Sequence, residues 1–451
     1  VAVGYAALGL SSTASSNTAI GYNSLGANTT AANNTAVGAY ALDSNTTGAD
    51  NAAVGYGALG VNTTGASNAA FGIYALDANT TGSSNVALGR HSLGANTTAS
   101  NNTAVGTSAL GANITGTQNV AIGTDALSLN TTNNNTAVGF SALKVNTSGS
   151  GNAAFGYSSL DANTTGGSNT AVGSDSLSAN ITGANNTAVG AGALNLNTTG
   201  YYITAVGYNS LAANTTGTLN TAVGFSALAA NTTANSNTAF GYAALDATTT
   251  GSSNTGIGHD SLGVSTTGVS NTAIGIASGS AVTSGGNNTF LGHDAGITGS
   301  PGGAITTANN QMCLGDENIA NAHIQVDWTV ASDKRDKTEV TPLVMGLDFI
   351  NKLEPVTYRW DKRSKYSKDQ DVTPDGTHKE EQLDVGFLAQ DVEELEKEYG
   401  FNFEDKTNLT TNISDDEEMY GLKYSKFVPA LVKAVQELTA KVKELEGKLN
   451  V

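Results

Sequence analysis

The chain is 451 residues long, with 54 glycines, 13% charged residues, 6% aromatic residues and a formal net charge of -18. A balance this acidic argues against nucleic acid and against an anionic membrane surface as the main partner. The single cysteine, Cys313, can form no disulfide within one chain, and no apolar run reaches the roughly 18 residues that a membrane-spanning helix needs, so no membrane insertion is expected.

The charge is unevenly placed. Two basic residues, Arg90 and Lys144, stand against twelve acidic ones up to position 330, and 18 stand against 26 beyond it. Aligned on its glycines, the first part reads Gly4, Gly21, Gly38 and onward to Gly123 at a period of 17. One step of 16 leads to Gly139, and the period then resumes through Gly156 to Gly275 and Gly292. The unit is N-T-A-V-G-x-x-A-L-x-x-N-T-T-G-x-x. It begins in mid-repeat on VAVGY without a Met, which leaves room for a signal peptide or an attachment segment ahead of Val1.

Self-similarity of this kind marks a stacked solenoid. Each unit has too few apolar residues to fold alone, so neighbouring units must stack. The β-branched TAV or TAI reads as a short strand, and NTTG with the recurrent glycines reads as turns that need positive φ. No 3.6-residue apolar stripe is present, so the spacing predicts a narrow parallel β-roll with two short strands per coil rather than a helical repeat. Eighteen coils at about 4.8 Å each make a rod on the order of 85 Å long. Ala and Val are adjacent in the strand and therefore face opposite ways. The expectation is that Val, Ile, Phe and Leu fill the roll while the Ala face receives another chain, giving a homo-oligomeric fibre.

The Asn and Thr columns are expected to stack along the solenoid through turn chemistry and side-chain hydrogen bonds. Most NTT units also match the N-glycosylation pattern, and a flat Thr array is the pattern of an ice-binding face, although adjacent Thr residues point different ways. Asp43, Asp77, Asp161 and Asp246 recur as solvated turn positions. His259 and His293 share a repeat position in separate coils, which reads as surface rather than as a ligand pair. No metal or cofactor site is expected.

Regularity fades after Gly292, and SPGG at 300–303 marks a bend. The organisation read from the sequence is a roll over 1–299, transition strands over 300–331, and a small α+β domain over 332–451. In that last part LVMGLDFINKLEPVTYRW reads as a helix and a strand, VGFLAQDVEELEKEYG as a strand running into a helix with Gly400 after its end, and 361–382 as a charged, mobile insertion. Over about 422–450, Val428, Leu431, Val435, Leu438, Val442, Leu445 and Leu449 alternate at steps of three and four, a heptad seam that predicts a coiled coil. The competing reading of this helix is an amphipathic one packed on its own domain.

Two resemblances follow from these residues. NTAVG, NTAIG and NAAFG resemble the SVAIG units of trimeric autotransporter adhesin heads, which form a trimeric parallel β-roll, with a different spacing here. From SDKRDK through MGLDFINKLEPVTYRW and VGFLAQDVEEL to YGLKYSKFVPALVKAVQEL, the last 120 residues closely resemble the intramolecular chaperone domain of phage tail fibres and endosialidases, found also in myelin regulatory factor. That resemblance implies a domain that trimerises, guides folding of the fibre before it, and then releases itself by autoproteolysis. It places the cleaved bond between Ala331 and Ser332, with Ser332 as nucleophile, Lys337 as general base, and Asp333 and Arg335 as supporting motif. Asp336 stands where the family usually has an apolar residue. The implied protein is a homotrimeric extracellular virion tail fibre that attaches to a host glycan or protein. A bacterial trimeric surface adhesin and the stalk of a glycan-degrading tailspike are the alternatives.

Overall fold

A computed structural model describes residues 1–300, 302–319, 321–325, 330–366, 372–414 and 419–449. It divides into two units, residues 1–273 and 274–451. The first is a parallel β-solenoid. Each coil carries one three-residue strand, such as Thr18–Ile20, Thr35–Val37 or Ala52–Val54, and each strand pairs in parallel register with its equivalent 17 residues on, Ala19 opposite Ala36 and Ile20 opposite Val37.

Two strands per coil were expected and one forms. The reason lies in the Leu of the repeat. Leu25, Leu42 and Leu59 sit at φ of about +50°, a left-handed conformation incompatible with a strand that costs roughly 1–2 kcal/mol per residue. Complete burial of the same side chains offsets the strain, at about 1.5–3 kcal/mol each. The backbone at this turn still stacks, because the N–H of Leu25 donates to the carbonyl of Ala41 in the next coil, and Leu42 does the same to Ala58.

The interior corrects a second expectation. The central Ala of each strand points inward and is wholly buried, as in Ala19, Ala36 and Ala53, whereas the Val, Ile or Phe after it points outward. Room decides the sense. At Gly256, which occupies the Ala column, an added Cβ would lie 3.1 Å from both Leu245 Cγ and the Ser261 carbonyl. A coil whose two walls stand this close accepts one Leu from the turn and one methyl from the strand.

Two Asn columns complete the core. Asn51, Asn68, Asn85 and Asn102 each present Oδ1 to the backbone N–H of the equivalent Asn in the next coil, at about the 3.0 Å of Asn68 to Asn51. In the other column, Asn62 Nδ2 donates to Asn45 Oδ1 at 2.8 Å and to the Gly65 carbonyl at 2.9 Å. These Asn-Thr-Thr asparagines are fully buried, so a glycan on their nitrogens is incompatible with the folded coil. The first Thr of the triplet donates its hydroxyl along the axis, Thr46 to the Thr63 carbonyl at 3.0 Å. The columns stack, as their chemistry predicted.

The 16-residue step is absorbed in one place. Asn119 Nδ2 donates to the Thr132 carbonyl where Asn102 donates to that of Gly116. One turn residue is missing and the strand register survives, with Ala121 opposite Ala137.

In the second unit, Thr289–Leu291 pairs in parallel with Met312–Leu314, 23 residues on. Phe290 faces inward and is fully buried. It fits because Gly296, four residues after Gly292, replaces the usual Leu, and a Cβ there would lie 2.3 Å from the Phe290 ring. Of the strands expected over 300–331, Met312–Leu314 is the one described, and it continues the coil pattern. Residues 326–329 of that stretch, and 367–371 of the charged insertion, lie outside the described residues.

The rest is a small α+β domain with helices α1 (Leu347–Lys352), α2 (Ala389–Glu398) and α3 (Phe427–Leu449). Two antiparallel strand pairs flank them, Val356–Tyr358 with Asp384–Gly386 and Thr411–Ile413 with Tyr420–Leu422. Met345, Phe349, Val392, Leu395, Phe427 and Ala430 make its core. The first turns of α3 bury Phe427, Ala430 and Ala434, the first two of them in that core. The heptad residues from Val428 to Leu449 are exposed, so the seam is not spent on its own domain.

Candidate functional site

The segment 330–342 is exposed throughout, and its order comes from one turn of 3-10 helix, Lys334–Asp336. Asp333 caps it, accepting from the Arg335 N–H at 2.9 Å, and the Lys337 N–H closes it on the Lys334 carbonyl at 3.3 Å. A short Asp-x-Arg stretch favours such a turn because the carboxylate satisfies a backbone donor that the helix start leaves open.

The turn brings its two flanking residues together. Lys337 Nζ lies 2.6 Å from Ser332 Oγ. Asp333, one residue from the Ser, is engaged by the guanidinium of Arg335, with contacts of 2.6 and 3.1 Å. Arg335 thereby holds the Asp333 carboxyl below its usual range, and among the described residues no ion pair joins Asp336 to Lys337. Of the two carboxylates in this stretch, Asp333 and Asp336, the first is thus paired with a cation other than Lys337. A hydroxyl within hydrogen-bond reach of an amine is the geometry of a nucleophile and its base. Both groups face water in the single chain, and an amine accepts a proton only in its neutral form, which burial favours.

Other residues that hold this domain were not singled out from the sequence. Glu437 on α3 accepts from the Leu347 N–H at the start of α1 at 2.8 Å. Gly346 permits the approach, since a Cβ there would lie 2.4 Å from that carboxylate. Tyr399 donates to Asp348 at 2.7 Å. Glu396, fully buried, accepts from the N–H groups of Leu409 and Thr410 and from the hydroxyls of Thr410 and Thr411. The glycines of VMGLDF and VGFL were the available signal: at Gly386 a Cβ would lie 2.4 Å from the Tyr424 hydroxyl. The charged positions on α2 and α3 gave none, because a Glu in a helix reads as solvated.

His259 and His293 are exposed beside Asp260 and Asp294. Among the described residues no group of three or more His, Cys, Asp or Glu side chains is arranged to hold a metal ion, and no helix is long and apolar enough to cross a membrane.

The fold is a repeat solenoid followed by a small α+β domain with an exposed helical seam. Residues 332–401 match the family described as the chaperone of endosialidase, which supports the C-terminal chaperone domain. The matched span begins on Ser332, takes in Lys337, α1 and α2, and stops before α3. No curated protein and no solved structure matches the chain.

Proposed function

We propose that the chain is one subunit of a homotrimeric fibre of the virion tail-fibre type. In this reading residues 332–451 direct trimerisation and folding of the roll and are then released by autoproteolysis between Ala331 and Ser332. The roll serves as shaft, as host-surface binding element, or as both. The observation that carries the reading is the 2.6 Å approach of Lys337 Nζ to Ser332 Oγ, at the first residue of the family match.

The chemistry follows from adjacency. Neutral Lys337 takes the proton of Ser332 Oγ, and the oxygen attacks the carbonyl carbon of Ala331, the residue before it. The C–N bond breaks as the nitrogen takes a proton, leaving an ester on Ser332 and a free amine. Water then hydrolyses the ester, restoring the hydroxyl and giving Ala331 a carboxylate. Burial of the segment, which partner chains supply on assembly, favours the neutral amine that the reaction needs. Cleavage is thereby ordered after trimerisation, and the released roll persists by a high barrier to unfolding.

Intact mass of the purified full-length protein beside Ser332→Ala and Lys337→Met tests this. Fragments of 331 and 120 residues from the parent, with both variants whole, are expected. A parent that stays whole, or a Ser332→Ala chain that still divides at this bond, sinks the assignment.

A further inference from the structure

The strands hide their small Ala and display the larger apolar residue that follows it. Across residues 1–273, sixteen strands each place a Val, Ile, Leu or Phe outward, from Val3 to Ile257. Many are substantially exposed, Ile20 at 40% and Phe240 at 56%. The register lines them up one per coil, Ile20 beside Val37, Val54 and Phe71, as a continuous row on the order of 70 Å long. None of the sixteen is charged. At roughly 70 Å² exposed per side chain the row amounts to on the order of 1,000 Å², above the roughly 800 Å² that each partner gives to a standard interface.

We propose that this row is the seam between copies of the chain, and that Phe71, Phe155 and Phe240 set its register. The proposal rests on the trimeric fibre reading and assigns the face that it uses. The occupant follows from the pattern: a covering surface must be apolar, uncharged, continuous over this length and repeat at one coil spacing. Another copy of the same row, parallel and level with the first, meets all four conditions.

A row of identical residues would tolerate sliding by any whole number of coils. This row is not uniform. Its three Phe residues fall in the fifth, tenth and fifteenth strands, Ala69–Phe71, Ala153–Phe155 and Thr238–Phe240. Level chains place like against like at every coil. A slip of one coil sets Phe71 against Leu88 or Val54 and repeats the mismatch at the other two rings, leaving overfilled levels beside underfilled ones. A slip of five coils is the smallest that restores ring-to-ring contact, and it forfeits five coils of seam.

The test uses the full chain with single cysteines in the row, paired by mild oxidation. The unsubstituted chain, whose Cys313 is buried, sets the background. Sedimentation reports the oligomer, and peptide mass identifies the linked positions. In a trimer, Val172→Cys links to Val172→Cys of another copy, while Thr199→Cys in the exposed Asn-Thr-Thr turn does not. In co-expressed Val172→Cys and Val206→Cys chains, two coils apart, mixed links are absent. They appear when Phe71, Phe155 and Phe240 are all changed to Val. A trimer without links at 172 overturns the seam and leaves the trimer standing, whereas a monomer overturns both. Linking at 172 with the triple Phe variant still level overturns the register role.

Discussion

Alanine at Gly106 should open the roll, and alanine at Gly111, in the same coil, should not. Gly106 has φ +129°, and its Cβ would lie 2.6 Å from both the carbonyl carbon and oxygen of Gly123 in the next coil. The backbone conformation alone costs an alanine about 1–3 kcal/mol. Relieving the overlap needs a separation of roughly 0.8 Å, which weakens the bonds across that interface, from Gly123 N–H to Val105 at 2.7 Å and from Asp125 N–H to Thr107 at 3.0 Å, at about 0.5–1.5 kcal/mol each. The sum is about 2–6 kcal/mol, delivered to one coil interface because each coil touches only its neighbours. Gly111 does not have positive φ, and its nearest contact would be the Ser108 carbonyl at 3.1 Å. Ser128 and Ala212 already occupy that place in other coils, so the change should stay within about 0.5 kcal/mol. Hydrogen exchange of the full chain reads the difference coil by coil: protection should fall around residues 86–123 for Gly106→Ala and stay at the parent level for Gly111→Ala. Equal protection in the two variants would refute the stacking geometry argued here.

Other consequences can be measured in the same material. Replacing Glu396 by Ala orphans four donors at the Leu409–Thr411 turn, at about 1–3 kcal/mol for each that stays buried and unpaired. The denaturation midpoint of the C-terminal domain should therefore fall well below that of a surface Glu444→Ala control, and equal midpoints would show that the buried carboxylate is idle. The two parts of the chain should also respond oppositely to acid. In the roll, desolvation raises the carboxyls of Asp77, Asp161 and Asp246. Their contribution to stability is fully present below the unfolded value and is lost as pH rises through the folded one. In the C-terminal domain, the Tyr399 hydroxyl and then Lys352 depress Asp348, and the Leu347 N–H depresses Glu437. Their contribution is present above the unfolded values and is lost as pH falls through the folded ones. Calorimetry from pH 7 toward 4 should move the roll transition up, and continued acidification should move the domain transition down. Parallel shifts would contradict the assignment.

The sequence disclosed the roll because a strict period leaves few alternatives. Stacking was forced by the poverty of each unit, and the Asn columns were legible because an amide at a fixed place can bond its own copy. The strand's alternation was legible too, but not its sense. Alternation says that Ala and Val part company; which goes inside depends on the gap between the coil walls, and that gap is set by the left-handed Leu, a conformation no propensity assigns to leucine. Phe290 shows the same rule inverted, entering the coil where Gly296 vacates the Leu position. At the seam, six residues of mixed charge gave Ser332 and Lys337 a role only through their resemblance to a family. The 3-10 turn that joins the two depends on Asp333 capping its own backbone, which is local and could have been read. Glu396 and Glu437 could not, because their partners lie on other elements.

The coil-to-coil bonds of the two Asn columns, the Thr hydroxyls and the strand ladder all run along the stacking axis. A pull along that axis therefore loads every bond of an interface together, and the stack resists as a set of parallel springs until one layer fails. Each failure frees a loop of 17 residues, about 58 Å of slack, and leaves the layers on either side closed. Such a stack would lengthen under force by discrete steps, and each step dissipates work while the remainder holds.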